Sequence, residues 1–277
     1  MDRSLGGLFS LEGKRALVTG GAGVLCSVVS RGLCMAGAHV LLTHHNASLA
    51  EAGAAALRED GYQATSFALD VMDQASLREA ADRARDLGGI DILINGVGGN
   101  QKGATTAVDL PFSDLSREAM EKVMGLNFLG GAFLTSQAFA PQMGAAEAGG
   151  VIINITSMSA IRPLTRIPGY SAAKAAVTNF TQWLAVHLAQ EVNPLLRVNA
   201  VAPGFFLTTQ NRFLLTDERT GVSRRAAAPS SITRRCAASG SPMILVGAVV
   251  WLCSDAARFV TGVIIPVDGG FSAFSGI

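Results

Sequence analysis

The sequence predicts an α/β fold, a single doubly wound parallel sheet of seven strands with helices on both faces, and three observations carry the prediction. Seven short runs rich in Val and Ile alternate with longer Ala-rich stretches, the rhythm of repeated strand–helix units. Each run is apolar on both faces, as a strand covered above and below by helices must be. The first run leads straight into a glycine-rich turn that opens a helix.

Taken along the chain, the first strand covers 16–19, and after the turn a helix follows over 25–36. Strand 39–42 precedes an Ala-rich helix over 47–59, and strand 65–69 precedes a helix over 74–86. Strand 92–95 is followed by a long helix over 117–143. Strand 151–155 leads to a helix over 169–190, which Pro168 helps to start. Strand 197–201, a helix over 245–253 and a closing strand over 263–267 complete the count. One domain, 1–277, accounts for the chain, with 1–10 as an N-terminal extension.

Composition bounds the function. Hydrophobic residues are 49% and charged residues 16% of the 277, enough apolar surface for one large core. Lys and Arg number 22 against 21 for Asp and Glu, a net charge of +1 that offers nucleic acid no basic field. The apolar run 243–253 is about half the ~20 residues a bilayer crossing needs, and the start of the chain lacks a basic-then-apolar signal pattern. A soluble, cytoplasmic protein is expected. The four cysteines, Cys26, Cys34, Cys236 and Cys253, form no CxxC pair and have no histidines at ligand spacing, so neither a disulfide framework nor a metal site is expected.

Two clusters carry chemistry. The turn Thr19-Gly20-Gly21-Ala22-Gly23-Val24-Leu25-Cys26 lets backbone N–H groups approach a pyrophosphate at the positive end of a helix. Thr43-His44-His45-Asn46 stands where an acidic residue would bind the ribose 2′-hydroxyl of NAD. With no carboxylate to repel a phosphate and two imidazoles able to donate to one, the reading leans to NADP, against the alternative of two histidines on a solvated loop. At the other cluster Asn154-Ile155-Thr156-Ser157 closes a strand, and Tyr170 and Lys174 share one helix face at i and i+4. An ammonium beside a phenol is expected to lower the phenol's pKa.

With these residues on the page, the sequence resembles the short-chain dehydrogenases/reductases from about Leu11 onward. The likeness runs through the glycine turn, Asp70-Val71, Asn95-Gly96-Val97-Gly98, Asn127, Ser157, Tyr170, Lys174, Pro203-Gly204-Phe205-Phe206-Leu207-Thr208 and Pro266-Val267-Asp268-Gly269-Gly270. Within the family it is similar to the D-mannonate oxidoreductase (fructuronate reductase) type, on Asn95 to Asn100, Pro163 to Pro168, Asn179 to His187 and Gln210-Asn211-Arg212.

The resemblance implies a Rossmann fold, NAD(P)H, a small-molecule substrate and a homotetramer. It implies Tyr170, Ser157, Lys174 and Asn127 as the catalytic group. Gly20, Gly21, Gly23, Leu25, His44, Asp70, Val71, Asn95, Gly96, Pro203, Gly204, Phe206 and Thr208 would join Tyr170 and Lys174 at the cofactor. A sugar acid needs a cation for its carboxylate, for which Arg162, Arg166 and Arg212 are available, and polar partners for its hydroxyls, for which Asn100, Ser159 and Asn211 are available. Met158 and Phe206 are expected in the pocket walls, and Trp183 and Trp251 in the core or a subunit contact.

Two departures stand out. Val24 and Cys26 occupy positions where the family has glycine. Where the family carries a substrate lid, about 205–243, the overlapping stretch 222–244 is acid-free and holds Arg224, Arg225, Arg234 and Arg235. Read one base out of frame with GC-rich codons, 222–244 becomes a sequence resembling the family's own segment, which points to two compensating frameshifts in the gene or its reported sequence, against the alternative of a divergent surface loop.

Overall fold

The computed structural model describes residues 4–204 and 242–273. The expectations at Phe206, Thr208, Asn211, Arg212, Cys236 and the stretch 205–241 of the lid lie outside these residues.

Seven parallel strands form one sheet: β1 (Arg15–Val18), β2 (His39–His44), β3 (Ala64–Ala68), β4 (Ile92–Asn95), β5 (Gly150–Ile155), β6 (Leu196–Pro203) and β7 (Ile264–Val267), in the order β3-β2-β1-β4-β5-β6-β7. The chain steps outward from β1 to β3 and then returns to place β4 on the other side of β1. Loops leaving β1 and β4 therefore diverge, and a crevice opens at the carboxyl ends of the strands.

Among the described residues the α-helices are α1 (Leu5–Phe9), α2 (Val24–Met35), α3 (Ala47–Glu59), α4 (Gln74–Asp86), α5 (Arg117–Met124), α6 (Thr135–Gly144), α7 (Pro168–Glu191) and α8 (Ile244–Cys253). Asn46 caps α3 by accepting from Ser48 and Leu49 N–H, and Asp73 caps α4 by accepting from Ala75 N–H. These caps give both helices the starts expected from sequence, and β4 also falls where expected; the other strands and α2, α7 and α8 differ by one or two residues at an end. The short α1, capped by Ser4, is a turn of helix within the expected N-terminal extension.

Alternate strand residues feed two cores. On one face Ala16 and Val18 pack with Val29, Leu33, Val40, Leu42, Ile94 and Leu252; on the other Leu17 packs with Leu41, Leu93, Phe139, Ile152, Val177 and Leu184. The helix expected over 117–143 is one helical run in three parts, α5, a π-helical segment over Gly125–Leu134, and α6. Its cause is Asn127, whose Nδ2 donates to Val123 O at 2.8 Å and also to Gly99 O at 2.6 Å, drawing the helix toward the loop after β4.

The run Arg117–Gly144 is also long and apolar enough to cross a bilayer, longer than the 243–253 stretch that the sequence reading singled out. With 56% of its apolar window buried inside the protein, it has the character of a core helix.

Of the two places expected for Trp183, the core is excluded. The indole is 55% exposed and therefore no part of the core, stacked instead between Phe180 and His187 along the outer face of α7. Trp251 is partly buried against the first core.

Candidate active site

The glycine turn follows from what its backbone must avoid. Gly20 has φ +65°, a conformation that side chains disfavour. A Cβ on Gly21 would lie 2.6 Å from Leu42 Cγ, while its N–H donates to Thr43 O at 2.8 Å. Gly23 is the N-cap of the twelve-residue α2 and supplies no side-chain cap. The first-turn amides of α2 are thus left for an anion at the positive end of the helix, which fits the pyrophosphate of a dinucleotide.

Thr19 ties this turn to the next loop: its hydroxyl donates to Ile94 O at 3.3 Å and accepts from Gly96 N–H at 3.0 Å. The departures from family glycine resolve here. Val24 points outward at 40% exposure, and Leu25 packs against the first core. Cys26 is buried with Sγ 3.7 Å from Gly96 O. A Cβ at Gly96 would come within 2.1 Å of that sulfur, so a glycine on one loop makes room for the thiol on the other. Burial pushes the Cys26 thiol up to about 12, and it stays neutral. Cys34 and Cys253 are likewise free and buried.

His44 ends β2. Its Nδ1 accepts from Asn46 N–H at 3.1 Å, which assigns the ring proton to Nε2, and its ring lies 4.2 Å from that of His45. Burial, then His45, holds its pKa below the usual value. At the end of β3, exposed Asp70 accepts from Met72 N–H at 2.9 Å, and Val71, 3% exposed, packs toward Gly130.

Asn95 sits beneath the crevice. Its Nδ2 donates to Asn154 Oδ1 at 2.8 Å and Ser136 Oγ at 3.0 Å, and Asn154 in turn donates to Thr181 at 2.9 Å. Buried amides across β4, β5 and α7 make this a tie between elements. Pro203 ends β6, and a Cβ on Gly204 would meet Asp268 Cα at 2.7 Å, so the turn after β7 closes directly on the loop after β6.

Asn127 and Lys174 meet around Gly98. A Cβ there would lie 2.6 Å from Asn127 Oδ1 and 3.1 Å from Lys174 Nζ. Asn127 Oδ1 accepts from Gly99 N–H at 3.1 Å, and the Lys174 ammonium donates to Ile155 O at 2.8 Å. Lys174 Nζ lies 5.7 Å from the Tyr170 ring centroid. Ser157 caps the short turn Met158–Ala160, accepting from Ser159 N–H at 3.1 Å and Ser159 Oγ at 3.0 Å. Ser159 and Met158 are both 2% exposed, behind Ser157.

The electrostatics correct one expectation. Lys174 does not dominate Tyr170: burial raises the phenol above its ordinary value, and the hydrogen bond with Ser157 opposes the rise. The cation is itself desolvated, its pKa lowered to about 8 by burial. Sequence spacing placed the pair correctly, but the cost of burying both groups is a property of the packed site.

Sequence reasoning missed Gly98 as the meeting point, and also the Cys26–Gly96 fit. The signal for both was present as the two glycines, Gly96 and Gly98, of Asn95-Gly96-Val97-Gly98. Arg162 and Arg166 leave the crevice loop in different ways: Arg162 Nε donates to Ser272 O at 3.1 Å, and Arg166 Nε to Thr106 O at 3.0 Å. Asn100 Nδ2 donates to Thr105 Oγ1 at 2.8 Å. Among the described residues no group of three metal-ligating side chains occurs.

A doubly wound sheet with a glycine-turn anion site and a Ser, Tyr and Lys converging at its carboxyl end defines a dinucleotide-dependent oxidoreductase. The sequence profile of the short chain dehydrogenases matches residues 14–219, and the chain belongs to that family of NAD(P)-dependent enzymes. It is 41% identical to the uncharacterised oxidoreductase UxuB of Bacillus subtilis, over 97% of this chain and 98% of that one. A crystal structure with bound NAD, of a Haemophilus influenza protein provisionally designated a D-mannonate oxidoreductase, matches with TM-score 0.88 and 38% identity over 99% of this chain and 100% of the other. A gluconate 5-dehydrogenase from Burkholderia cenocepacia, in complex with NADP and tartrate, matches with TM-score 0.84 and 31% identity over 98% and 100%.

Proposed function

We propose that this enzyme reversibly reduces a ketone of a sugar acid, of the D-fructuronate to D-mannonate type, using NAD(P)H. The observation that carries the proposal is the convergence of Asn127, Lys174, Tyr170 and Ser157 at the carboxyl ends of β4 and β5. The bound nicotinamide supplies or accepts the hydride.

The chain's own residues manage the proton and the geometry. In reduction the Tyr170 hydroxyl, kept protonated by burial, donates to the carbonyl oxygen. Ser157 donates a hydrogen bond to the same oxygen and polarises it. Lys174 would hold the ribose hydroxyls of the cofactor and would offset negative charge on Tyr170 in the oxidative direction. Asn127, anchored through Gly99 and Val123, holds a water linking Lys174 to solvent.

His44 and His45, with no carboxylate at the end of β2, favour NADP. The substrate class is supported by the relatives, one designated a D-mannonate oxidoreductase and one a gluconate 5-dehydrogenase. The second of these favours a keto-gluconate as the next substrate to try. A cytoplasmic homotetramer belongs to the same reading, and the outer face of α7, with Trp183 and Val186 exposed, is the surface such an assembly would cover. The test is nicotinamide absorbance with fructuronate and 5-keto-gluconate, using NADH and NADPH in parallel. Turnover abolished by Tyr170→Phe is the expected result; cofactor binding without turnover of any ketone would reduce the chain to a nucleotide-binding protein.

A further inference from the structure

Ser157 is held from two sides by one neighbour. Its backbone is extended, with φ −163° and ψ 154°, and it caps the short turn Met158–Ala160 by accepting from Ser159 N–H at 3.1 Å. A serine in a capping position ordinarily accepts that one bond, and its second lone pair and its proton remain for other partners. Here the second lone pair is taken as well, because the Ser159 hydroxyl donates to Ser157 Oγ at 3.0 Å. Ser159, expected among the hydroxyl partners of a substrate, is 2% exposed and has its hydroxyl committed to Ser157 instead. Ser157 itself stays partly exposed.

A hydroxyl has two acceptor sites and one proton. With both acceptor sites of Ser157 filled by Ser159, the proton is what Ser157 has left to offer. Its hydrogen bond with Tyr170 therefore runs from Ser157 to the phenol oxygen, which agrees with the downward pull of that bond on the Tyr170 pKa. Direction matters here. A Ser157 free to accept could take the Tyr170 proton into a bond of its own and withhold it from a carbonyl. A Ser157 that can only donate leaves the phenol proton free, so that both hydroxyls can donate to one carbonyl oxygen. Accepting from Ser159 also makes Ser157 a stronger donor, since hydrogen bonds in a chain polarise one another.

We infer that Ser159 is a positioning residue that fills the acceptor sites of Ser157 and so fixes the direction of a hydrogen-bond chain running from Ser159 through Ser157 to Tyr170. The inference rests on the proton-transfer roles given to Ser157 and Tyr170 above and is independent of which ketone is the substrate. Ser159 acts through Ser157, so its contribution falls on the chemical step and on the ionisation of Tyr170.

The test compares wild type with Ser159→Ala, which keeps the N–H bond but empties one acceptor site of Ser157, and Ser159→Thr, which keeps the hydroxyl. Reduction of fructuronate and 5-keto-gluconate and oxidation of D-mannonate are followed with both nicotinamides, with thermal melting and NMR of labelled tyrosine Cζ recorded alongside. The chain has two tyrosines, Tyr62 and Tyr170, so a Tyr62→Phe sample assigns the signals. Ser159→Ala is expected to lower kcat about 3- to 10-fold with KM for ketone and cofactor little changed. It should also move the rise of the oxidation rate with pH to higher pH, because the phenolate loses part of its donor, and should shift the Tyr170 signal without any substrate present. Ser159→Thr is expected to keep the wild-type pH profile. A wild-type pH profile and an unmoved Tyr170 signal in Ser159→Ala overturn the inference while leaving the proposed function intact. So does a loss shared by both variants with earlier melting and no change in pH profile, which would make Ser159 a packing residue. Failure of wild type to turn over any of these substrates defeats the proposed function instead, and the Tyr170 signal then decides separately whether the hydrogen-bond chain exists.

Discussion

The two walls of the crevice are built on opposite rules. The cofactor wall works by leaving atoms out: Gly20, Gly21, Gly23 and Gly96 allow the backbone of β1, α2 and the loop after β4 to approach closely, and no side chain caps α2. The wall proposed to be catalytic works by burying polar atoms that ordinarily stay in water. Lys174 is 4% exposed and Asn127 1%, each held by hydrogen bonds to backbone groups. The difference teaches how each wall fails. The first is damaged by adding a methyl group, the second by removing a hydroxyl or a charge.

The largest expected effect is on the catalytic wall. Tyr170→Phe removes the proton donor and should lower kcat by about 10²- to 10⁴-fold while cofactor affinity, measured by fluorescence titration, is kept. Loss of both together would mean that the phenol supports the cofactor wall as well, and would break the comparison.

Lys174 gives the next effect, in stability against pH. Its pKa is lowered from 10.5 to about 8 in the folded protein, so between those values the unfolded chain binds more protons and stability rises with pH. Thermal melts from pH 7 to 10.5 should show this rise in wild type, superimposed on the other titrations, and Lys174→Met should remove it together with activity. A slope unchanged in the variant would show that the buried cation is not destabilising.

On the cofactor wall, Gly96→Ala places a Cβ 2.1 Å from Cys26 Sγ and 2.7 Å from Thr19 O. Overpacking of this kind costs about 1–3 kcal/mol, read as a lower denaturation midpoint and a raised KM for the cofactor. Adding Cys26→Gly should relieve the sulfur contact but not the one with Thr19 O. Partial recovery is therefore the expected outcome, and strict additivity would refute the Cys26–Gly96 fit.

The smallest effect is at His44. On the proposed reading His44→Asp would put a carboxylate beside the ribose 2′-position and should shift preference toward NADH by about tenfold in the ratio of kcat/KM values, roughly 1.4 kcal/mol. Because burial lowers the His44 pKa, the wild-type ring is neutral at pH 7, and any gain in NADPH affinity from its protonation should emerge only as pH falls below the ordinary histidine range.

Much of this was readable before any coordinates. The βα order, the ends of α3 and α4, the helical start at Pro168 and the placing of Tyr170 and Lys174 on one face depend on neighbours a few residues apart. Residue type and spacing encode them directly. The glycine turn was readable for the same reason, since a backbone that must curl tightly before a helix leaves its mark within eight residues.

What the sequence by itself determined is the list of parts and their order along the chain; the tertiary structure decided how those parts act on one another. It reversed the expected shift at Tyr170, brought Trp183 to the surface, bent the run around Asn127 into a π-helix, and set Arg166 apart from Arg162. Each of these outcomes is set by groups far apart in the sequence: the packing that desolvates a phenol, the carbonyl of Gly99 that draws in Asn127, the loop at Thr106 that clamps an arginine. Desolvation and cross-loop hydrogen bonding depend on which distant atoms share a few ångströms of space, and local patterns of residue type do not carry that information.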